Sequence, residues 1–336
     1  MVSMKDISIK CGVSVATVSK ALSGQRDIGK KTALHIRQVA KEMGYLPNAA
    51  ARTLKTNRTN NLGVLFVDKM QSGLMHEYFS SLLNSIKAEA ESKGYDITFI
   101  SSDIGQYKMS FLEHCRYRAC DGVVIVCADF NDPDVVELVQ SEIPVVTIDH
   151  VFNEKTAILS NNVQCVRDLV TYIVEQGHRK IAFIHGEDTS VTQKRIAGFY
   201  RTCQEHGIAV PEAYVQSARY HDPASSAEAT RTLLSLTDPP TCIMYPDDFS
   251  FMGGRNVLED MKLKIPEDIS VTGFDGIFLS QVIQPVLTTV RQDTLSIGRA
   301  AADRIIDSIE NPKTVVTEQV MIDGQLLPGK TVKRVT

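Results

Sequence analysis

Three carboxylates and one guanidinium stand where an α/β sheet would present them to a ligand. Asp149 closes the apolar run at residues 144–148, Asp275 follows the run at 269–273, and Asp247 comes just after the run at 241–245. Arg195 opens a motif on the helix side. In open α/β sheets, ligands sit outside the carboxyl ends of the strands. Each carboxylate can hold two hydroxyls and the guanidinium adds a fork of donors, so the set suits a polyhydroxyl ligand. No matching machinery for turnover is visible. Val67-Asp68-Lys69-Met70-Gln71-Ser72-Gly73, after the first body strand, has neither the GxGxxG nor the GxxxxGK[ST] spacing of a phosphate loop. GxSxG and HExxH are absent, and the eight histidines form no ligand set. The expectation is a binding protein and not an enzyme, with no metal and no cofactor.

A second chemistry belongs to the first 58 residues. They hold eleven Lys and Arg against three acids, a charge of +8, which leaves −12 on the other 278 residues of a chain whose net charge is −4. A small basic head on a large acidic body predicts that only the head meets a polyanion. Lys5, Lys20, Arg26, Lys30 and Arg52 can contact phosphates, which would make binding salt-dependent.

Short helices must position those head residues. Residues 5–11 have a helical pattern that Gly12-Val13 breaks. Ser14 then stands as an N-cap directly before Val15-Ala16-Thr17-Val18-Ser19-Lys20-Ala21-Leu22. A third helix is predicted at about 31–43, stopped by Gly44. Helix, turn with glycine, helix is the helix-turn-helix pattern, and its second helix enters the major groove. Val15 and Ala16 are small enough for close approach and can touch thymine methyls. Thr17, Ser19 and Lys20 can reach phosphates or bases, and Ser14 is counted with them.

Residues 47–54 begin with Pro47, suited to a first helical turn, and continue through Ala49, Ala50 and Ala51. Two turns are marginal as an isolated helix, so this stretch should be helical only when something else holds it. A polar linker follows, and the pattern then changes to alternating buried strands and helices. Strands are predicted at 62–67, 97–101, 122–127 and 144–148, with helices at 78–93, 109–116 and 133–141 between them. The series restarts with a helix at 163–176. Strands at 180–184, 214–216, 241–245 and 269–273 follow, interleaved with helices at 191–206, 224–236 and 249–261. Such a series predicts parallel sheets covered on both faces, in two similar subdomains with a cleft between them. A last helix at 295–309 suggests that the chain crosses back.

The motif Gly12-Val13-Ser14-x-x-Thr17-Val18-Ser19-x-x-Leu22-x-Gly24, then Gly44-Tyr45-x-Pro47-Asn48-x-x-Ala51-Arg52-x-Leu54, resembles the lactose-repressor (LacI/GalR) family of bacterial transcription regulators. Gly177-His178-Arg179-Lys180-Ile181-Ala182-Phe183-Ile184, Arg195-x-x-Gly198-Phe199, residues 265–275 and residues 287–292 resemble it as well. Gly29 stands where the family has a capping serine for the third helix. The resemblance implies an N-terminal all-α helix-turn-helix headpiece (1–46), a hinge helix and linker (47–58), and an α/β core (59–336) similar to periplasmic sugar-binding proteins. That core would consist of two doubly wound parallel-sheet subdomains, about 62–160 plus 292–320 and about 161–291 plus 321–336. It further implies a homodimer on a near-palindromic operator in double-stranded DNA, expected to act as a repressor. A small effector, a sugar or related metabolite, would bind between the subdomains. Leu54, beside Ala51, Arg52 and Lys55, is expected to wedge into the minor groove. Asp149, Arg195, Asp247 and Asp275 match effector-contact positions of the family, and so do the aromatic Tyr78 and Phe79. Tyr220 and Gln193 complete the candidates. The Asn161-Asn162 pair is expected to cap a helix or mark a crossover.

Two classes compete with this reading. A doubly wound enzyme would need one of the motifs found absent above. A transport receptor would need a signal peptide, and Met1 to Asp6 lacks an apolar core for one. No apolar run approaches the roughly 20 residues of a membrane span. The seven cysteines contain no CxxC pair and read as free thiols in a reducing cytoplasm.

Overall fold

The computed structural model describes residues 2–24, 27–46, 58–68 and 73–335. The chain falls into two compact units, Met1–Thr59 and Asn60–Thr336.

In the first unit, Ser3 caps helix α1 (Met4–Cys11): its Oγ accepts from the Asp6 amide, and the Asp6 carboxylate accepts from the Ser3 amide at 2.8 Å. Gly12 ends the helix at φ +66°, a left-handed conformation that a residue with Cβ adopts only at a cost. Ser14 then caps α2 (Val15–Leu22), its Oγ accepting from the Thr17 amide at 3.1 Å. Helix α3 (Lys30–Glu42) starts at Gly29 with no side-chain cap. Ile7, Val18, Ala21, Ile36, Val39 and Ala40 form the core where the three helices meet. Arg37 Nε donates to the Ala21 carbonyl at 3.1 Å, tying α3 to the end of α2. The short helix expected at 47–54 lies outside the described residues, as do Arg26, Ala51, Arg52, Leu54 and Lys55.

The second unit runs β1 (Asn61–Phe66), α4 (Glu77–Ser92), β2 (Asp96–Ile100), the short hairpin β3 (Asp103–Ile104) and β4 (Tyr107–Lys108), α5 (Phe111–Tyr117), β5 (Gly122–Cys127), α6 (Pro133–Gln140), β6 (Val145–Ile148) and β7 (Thr156–Ser160). It continues α7 (Asn162–Glu175), β8 (Ile181–His185), α8 (Ser190–Glu205), β9 (Val215–Ser217), α9 (Pro223–Leu234), β10 (Cys242–Met244), α10 (Phe251–Asp260), β11 (Ser270–Thr272), α11 (Phe278–Val282) and β12 (Thr289–Arg291). The last elements are α12 (Thr294–Glu310), β13 (Gln319–Ile322) and β14 (Gln325–Leu327).

Two parallel sheets result, in the orders β13-β7-β6-β5-β1-β2 and β11-β10-β8-β9. Each has apolar clusters on both faces. In the first half, α4 and α12 cover one face through Leu82, Ile86, Ala301 and Ile305, and α5 and α6 cover the other through Leu112 and Leu138. In the second half, α7 and α8 lie on one face, with Leu169 and Phe199, and α9 and α10 on the other, with Leu233 and Leu258. Burial on both faces is why these strands are continuous apolar runs rather than alternating ones.

Two features depart from expectation. Strand β7 pairs parallel with β6 although only residues 149–155 join them. A parallel neighbour normally implies a helical crossover, and a search for strand-helix alternation passes over this strand. The first sheet also takes a strand from the far end of the chain. Pairing of β13 with β7 keeps the chain in the first half through Ile322, and β14 then pairs with β12 beside α7. Among the described residues, no helix is long and apolar enough to cross a membrane.

Candidate functional site

On the head, the start of α2 presents an open face. Val15 is 44% exposed, and Ala16 beside it is exposed too. Thr17 and Ser19 are half-buried, and Ser14 Oγ lies 2.8 Å from Thr17 Oγ1, which fixes that hydroxyl against the cap. Lys5 is exposed. Lys20 is exposed as well, but its ammonium is engaged by the Asp27 carboxylate. A phosphate would have to replace that carboxylate.

In the body, the cleft is built from strand ends and helix starts of both halves. Asp149 follows β6 at φ +55°. Its Oδ1 accepts from the Ser160 amide at 2.6 Å and its Oδ2 from the Ser160 hydroxyl at 3.1 Å. Asp275 follows β11 at φ +97°, and its Oδ1 accepts from Gln292 Nε2 at 2.7 Å. Burial pushes the Asp275 carboxyl up to about 6, against the opposing pull of the Arg195 guanidinium. Burial likewise raises Asp149.

Arg195, on α8, is only 4% exposed. Its Nε donates to Asn162 Oδ1 at 2.8 Å and its Nη1 to the Pro246 carbonyl at 3.0 Å. Its Cζ lies 3.6 Å from the centroid of the Phe274 ring and 5.5 Å from that of Tyr220. Stacking and two neutral acceptors therefore hold the cation rigidly. Tyr220 lies flat against Gly186, where a Cβ would come within 2.2 Å of the ring, and its hydroxyl meets Thr192 Oγ1 at 2.8 Å. Tyr78 approaches from the first half. Burial raises its hydroxyl well above the ordinary tyrosine value, and the charges of Asp149, Asp275 and Arg195 all act on it. Phe79 packs beside it, ring centroids 5.1 Å apart. Six of the eight expected residues thus converge.

Two others do not present themselves to a ligand. Asp247, 3% exposed, accepts from the Ser250 amide (2.7 Å), the Ser250 hydroxyl (2.6 Å) and the His221 amide (2.8 Å). Its carboxylate is committed to shaping the loop after β10. Gln193 sits on the exposed side of α8, donating to Asp188, because Thr192 and Arg195 occupy the inward positions. Of the asparagine pair, Asn161 caps α7 through the Gln164 amide, and buried Asn162 is the seat for Arg195.

The structure adds residues with no prior signal. His76, before α4, stacks on His221 of the other half with ring centroids 3.9 Å apart, and His221 stacks on Phe249 at 4.2 Å. Burial lowers both histidines, so both favour the neutral form. The halves also meet where Ser190 Oγ donates to the Asp149 carbonyl at 2.7 Å and where the Phe278 amide donates to Glu77 Oε1 at 2.6 Å. These contacts close the cleft over its own polar groups.

Comparison with known proteins identifies the two parts of the chain. Residues 3–48 match the model of bacterial regulatory proteins of the lacI family, and residues 170–332 match a periplasmic binding protein-like domain. The chain therefore carries a lacI-family DNA-binding domain at its start and a periplasmic binding protein-like domain in its body. It is 29% identical over 341 residues to "Probable HTH-type transcriptional repressor ExuR" of Bacillus subtilis, covering all of both chains. It is 28% identical over 342 residues to the HTH-type transcriptional repressor PurR of Haemophilus influenzae, again with full coverage of both. Among solved structures, the lac repressor dimer bound to operator and the anti-inducer ONPF has the same fold, with a TM-score of 0.77 at 22% identity over 99% of each chain. A complex of the regulator CelR with cellobiose matches with a TM-score of 0.73 at 20% identity, over 98% of this chain and 100% of that one. The match at residues 3–48 makes the head a DNA-binding domain of the lacI type, and the body has the fold of a periplasmic binding protein.

Proposed function

We propose that the protein is a repressor that binds a near-palindromic operator as a homodimer and is controlled by a carbohydrate held between the halves of its body. One observation carries the carbohydrate reading. The charges of Asp149, Asp275 and Arg195 all act on Tyr78, whose ring packs beside Phe79, and Arg195 also lies 5.5 Å from the centroid of the Tyr220 ring. Carboxylates that already accept one or two bonds retain lone pairs for ligand hydroxyls, and the aromatic faces suit the apolar side of a sugar ring. In this reading Ser14, Val15, Ala16, Thr17 and Ser19 meet the major groove, with Lys5, Lys20, Arg26, Lys30, Arg52 and Lys55 on phosphates. Residues 47–58 are the hinge, and Leu54 with Ala51 enters the minor groove. Opening or closing of the cleft changes the spacing of two hinges, and linkage requires effector and operator to alter each other's affinity by the same factor.

A thermal-shift screen of sugars, repeated with operator-like DNA, tests the reading, because a ligand that binds only the native state raises the melting temperature. A carbohydrate should stabilise the wild type and not Asp275→Ala. An unchanged sugar response in Asp275→Ala and in Arg195→Ala would remove the pocket assignment. Leu54→Ala should weaken operator binding far more than sugar binding, and equal losses in a gel-shift and a calorimetric titration would count against the wedge.

A further inference from the structure

Helix α5 ends in a turn that brings two cysteines together far from the cleft. The Cys120 amide donates to the Cys115 carbonyl at 2.9 Å and the Ala119 amide to the Arg116 carbonyl at 3.0 Å, with Ala119 at φ +49°. This is the Schellman ending of a helix, in which the third residue from the helix end and the second residue past the C-cap, Arg118, commonly bring their side chains into contact. Here those positions are Cys115 and Cys120, and Cys120 packs against the apolar cluster that contains Cys115.

The two sulfurs are not equivalent. Cys115 is fully buried against Leu112, Ile125 and their neighbours, whereas Cys120 is half-buried at the rim. Cys120 Sγ also accepts from Asn61 Nδ2 at 3.6 Å. Donors to a sulfur favour its thiolate, so the Cys120 thiol lies below the usual range, first because of the Cys115 thiol, with Arg118 adding to the effect. Cys115 is pushed in the opposite direction by the same contact and by burial.

We propose that Cys115 and Cys120 are a dithiol redox pair, in which a hydroperoxide oxidises Cys120 and Cys115 then closes a disulfide. The Cys120 thiolate attacks one peroxide oxygen and the O–O bond breaks. Cys120 becomes a sulfenic acid, and the departing alkoxide or hydroxide takes a proton from water. The Cys115 sulfur then attacks the Cys120 sulfur. The S–O bond breaks, hydroxide leaves, and it takes the Cys115 proton to become water. The two thiols lose two electrons and the peroxide is reduced to an alcohol or water.

The pair sits where the chain enters the body. Asn61 Nδ2 also donates to the Arg118 carbonyl at 3.0 Å, the Asn60 amide donates to Asp121 Oδ2 at 2.7 Å, and the Asp121 amide donates to the Asn61 carbonyl at 2.8 Å. Oxidation removes the thiolate acceptor of the Asn61 amide and so acts on the start of β1.

The test is a peptide map of the full-length protein after graded hydrogen peroxide and alkylation of the remaining thiols. The expected result is a Cys115–Cys120 cross-link, lighter by about 2 Da and reversed by dithiothreitol. It should form roughly tenfold faster than oxidation of Cys11 or Cys127, because with access matched the thiolate character sets the difference in rate. Those two cysteines are equally half-buried and serve as internal controls. Cys120→Ser should abolish the cross-link, and Cys115→Ser should leave a sulfenic acid that dimedone traps at Cys120. Absence of the cross-link in the wild type, or its formation no faster than oxidation of Cys11 and Cys127, overturns the proposal. The wild-type map decides this even where a variant fails to fold.

Discussion

The head and the cleft solve the recognition problem in opposite ways. On the head, the residues offered to a partner are exposed and small, and they owe their position to a single helix and its cap: Ser14 fixes the start of α2, and Val15 and Ala16 follow directly. In the cleft the offered groups are buried polar atoms. Each is held by partners distant in the chain, as Arg195 is by Asn162 and Pro246 and Asp275 is by Gln292. Exposed groups cost little when unpaired. A buried charge must be stabilised before any ligand arrives, so part of the cleft's polarity is structural. The difference teaches that burial alone does not mark a ligand contact. What separates Asp275 from Asp247 is spare acceptor capacity, one protein hydrogen bond against three.

The largest expected effect is at Arg195. Arg195→Ala leaves the Asn162 carbonyl oxygen and the Pro246 carbonyl without their donor in a buried site, and removes the cation stacked on Phe274. Urea unfolding of the body should show a loss of about 2–4 kcal/mol, and the sugar-induced shift should vanish. A stable variant with a normal ligand response would erase the contrast drawn between head and cleft.

The two aspartates sharpen the comparison next. Asp247→Ala strands the His221 and Ser250 amides and should cost about 2–3 kcal/mol in urea unfolding. Asp275→Ala should cost less than about 1 kcal/mol, or stabilise the body, while losing the ligand response. Equal destabilisation by both would mean that Asp275 is as structural as Asp247.

Acid provides a further discriminator. Asp275 titrates at about 6 in the native state, above the roughly 3.9 of an unfolded aspartate. The native state therefore binds its proton more tightly, and its buried charge destabilises the fold at neutral pH. That cost is present above pH 6 and is relieved as pH falls towards about 4, with an upper limit on the order of 2–3 kcal/mol. Asp149 and Asp248 are raised too and act with the same sign. His76 and His221 are lowered, so the unfolded chain takes up their protons first and stability falls as pH drops below about 6.5. The comparison of wild type with Asp275→Asn isolates one carboxyl from these opposing groups. The variant should be the more stable protein at pH 7.5, and the difference should shrink by pH 5. A pH-independent difference would show that Asp275 is not held as a raised acid.

Legibility followed the range of the interactions. The cap at Ser14 and the stop at Gly12 depend on neighbours within one turn, and both stood where the sequence put them. Strand-end carboxylates were readable because period and length mark where a buried strand stops. Asp247 carries a local signal of its structural role: Asp-x-x-Ser places a carboxylate three residues before an amide and a hydroxyl it can accept from. The stack of His76 on His221 had none, because the two rings are brought together only by the folding of separate halves. Strand β7 was hidden by the absence of the helix that normally announces a parallel neighbour. Residues 47–57 lie outside the described residues, so the hinge remains where the motif alone put it.

The smallest effect tests the head. Lys20 is an exposed cation held by Asp27, and an exposed pair is worth little to stability. Its expected value lies in phosphate binding, where each neutralised phosphate releases counterions and adds to the salt dependence. Lys20→Ala should reduce the slope of log affinity against log salt by about 1, with little change in sequence preference. Asp27→Asn frees the ammonium and should tighten operator binding about twofold to fivefold at low salt, an effect that fades as salt screens the exposed charges. If the slope is unchanged in Lys20→Ala, the lysine serves Asp27 and not DNA. The head would then contain a residue of the kind found in the cleft, charged for the sake of the fold.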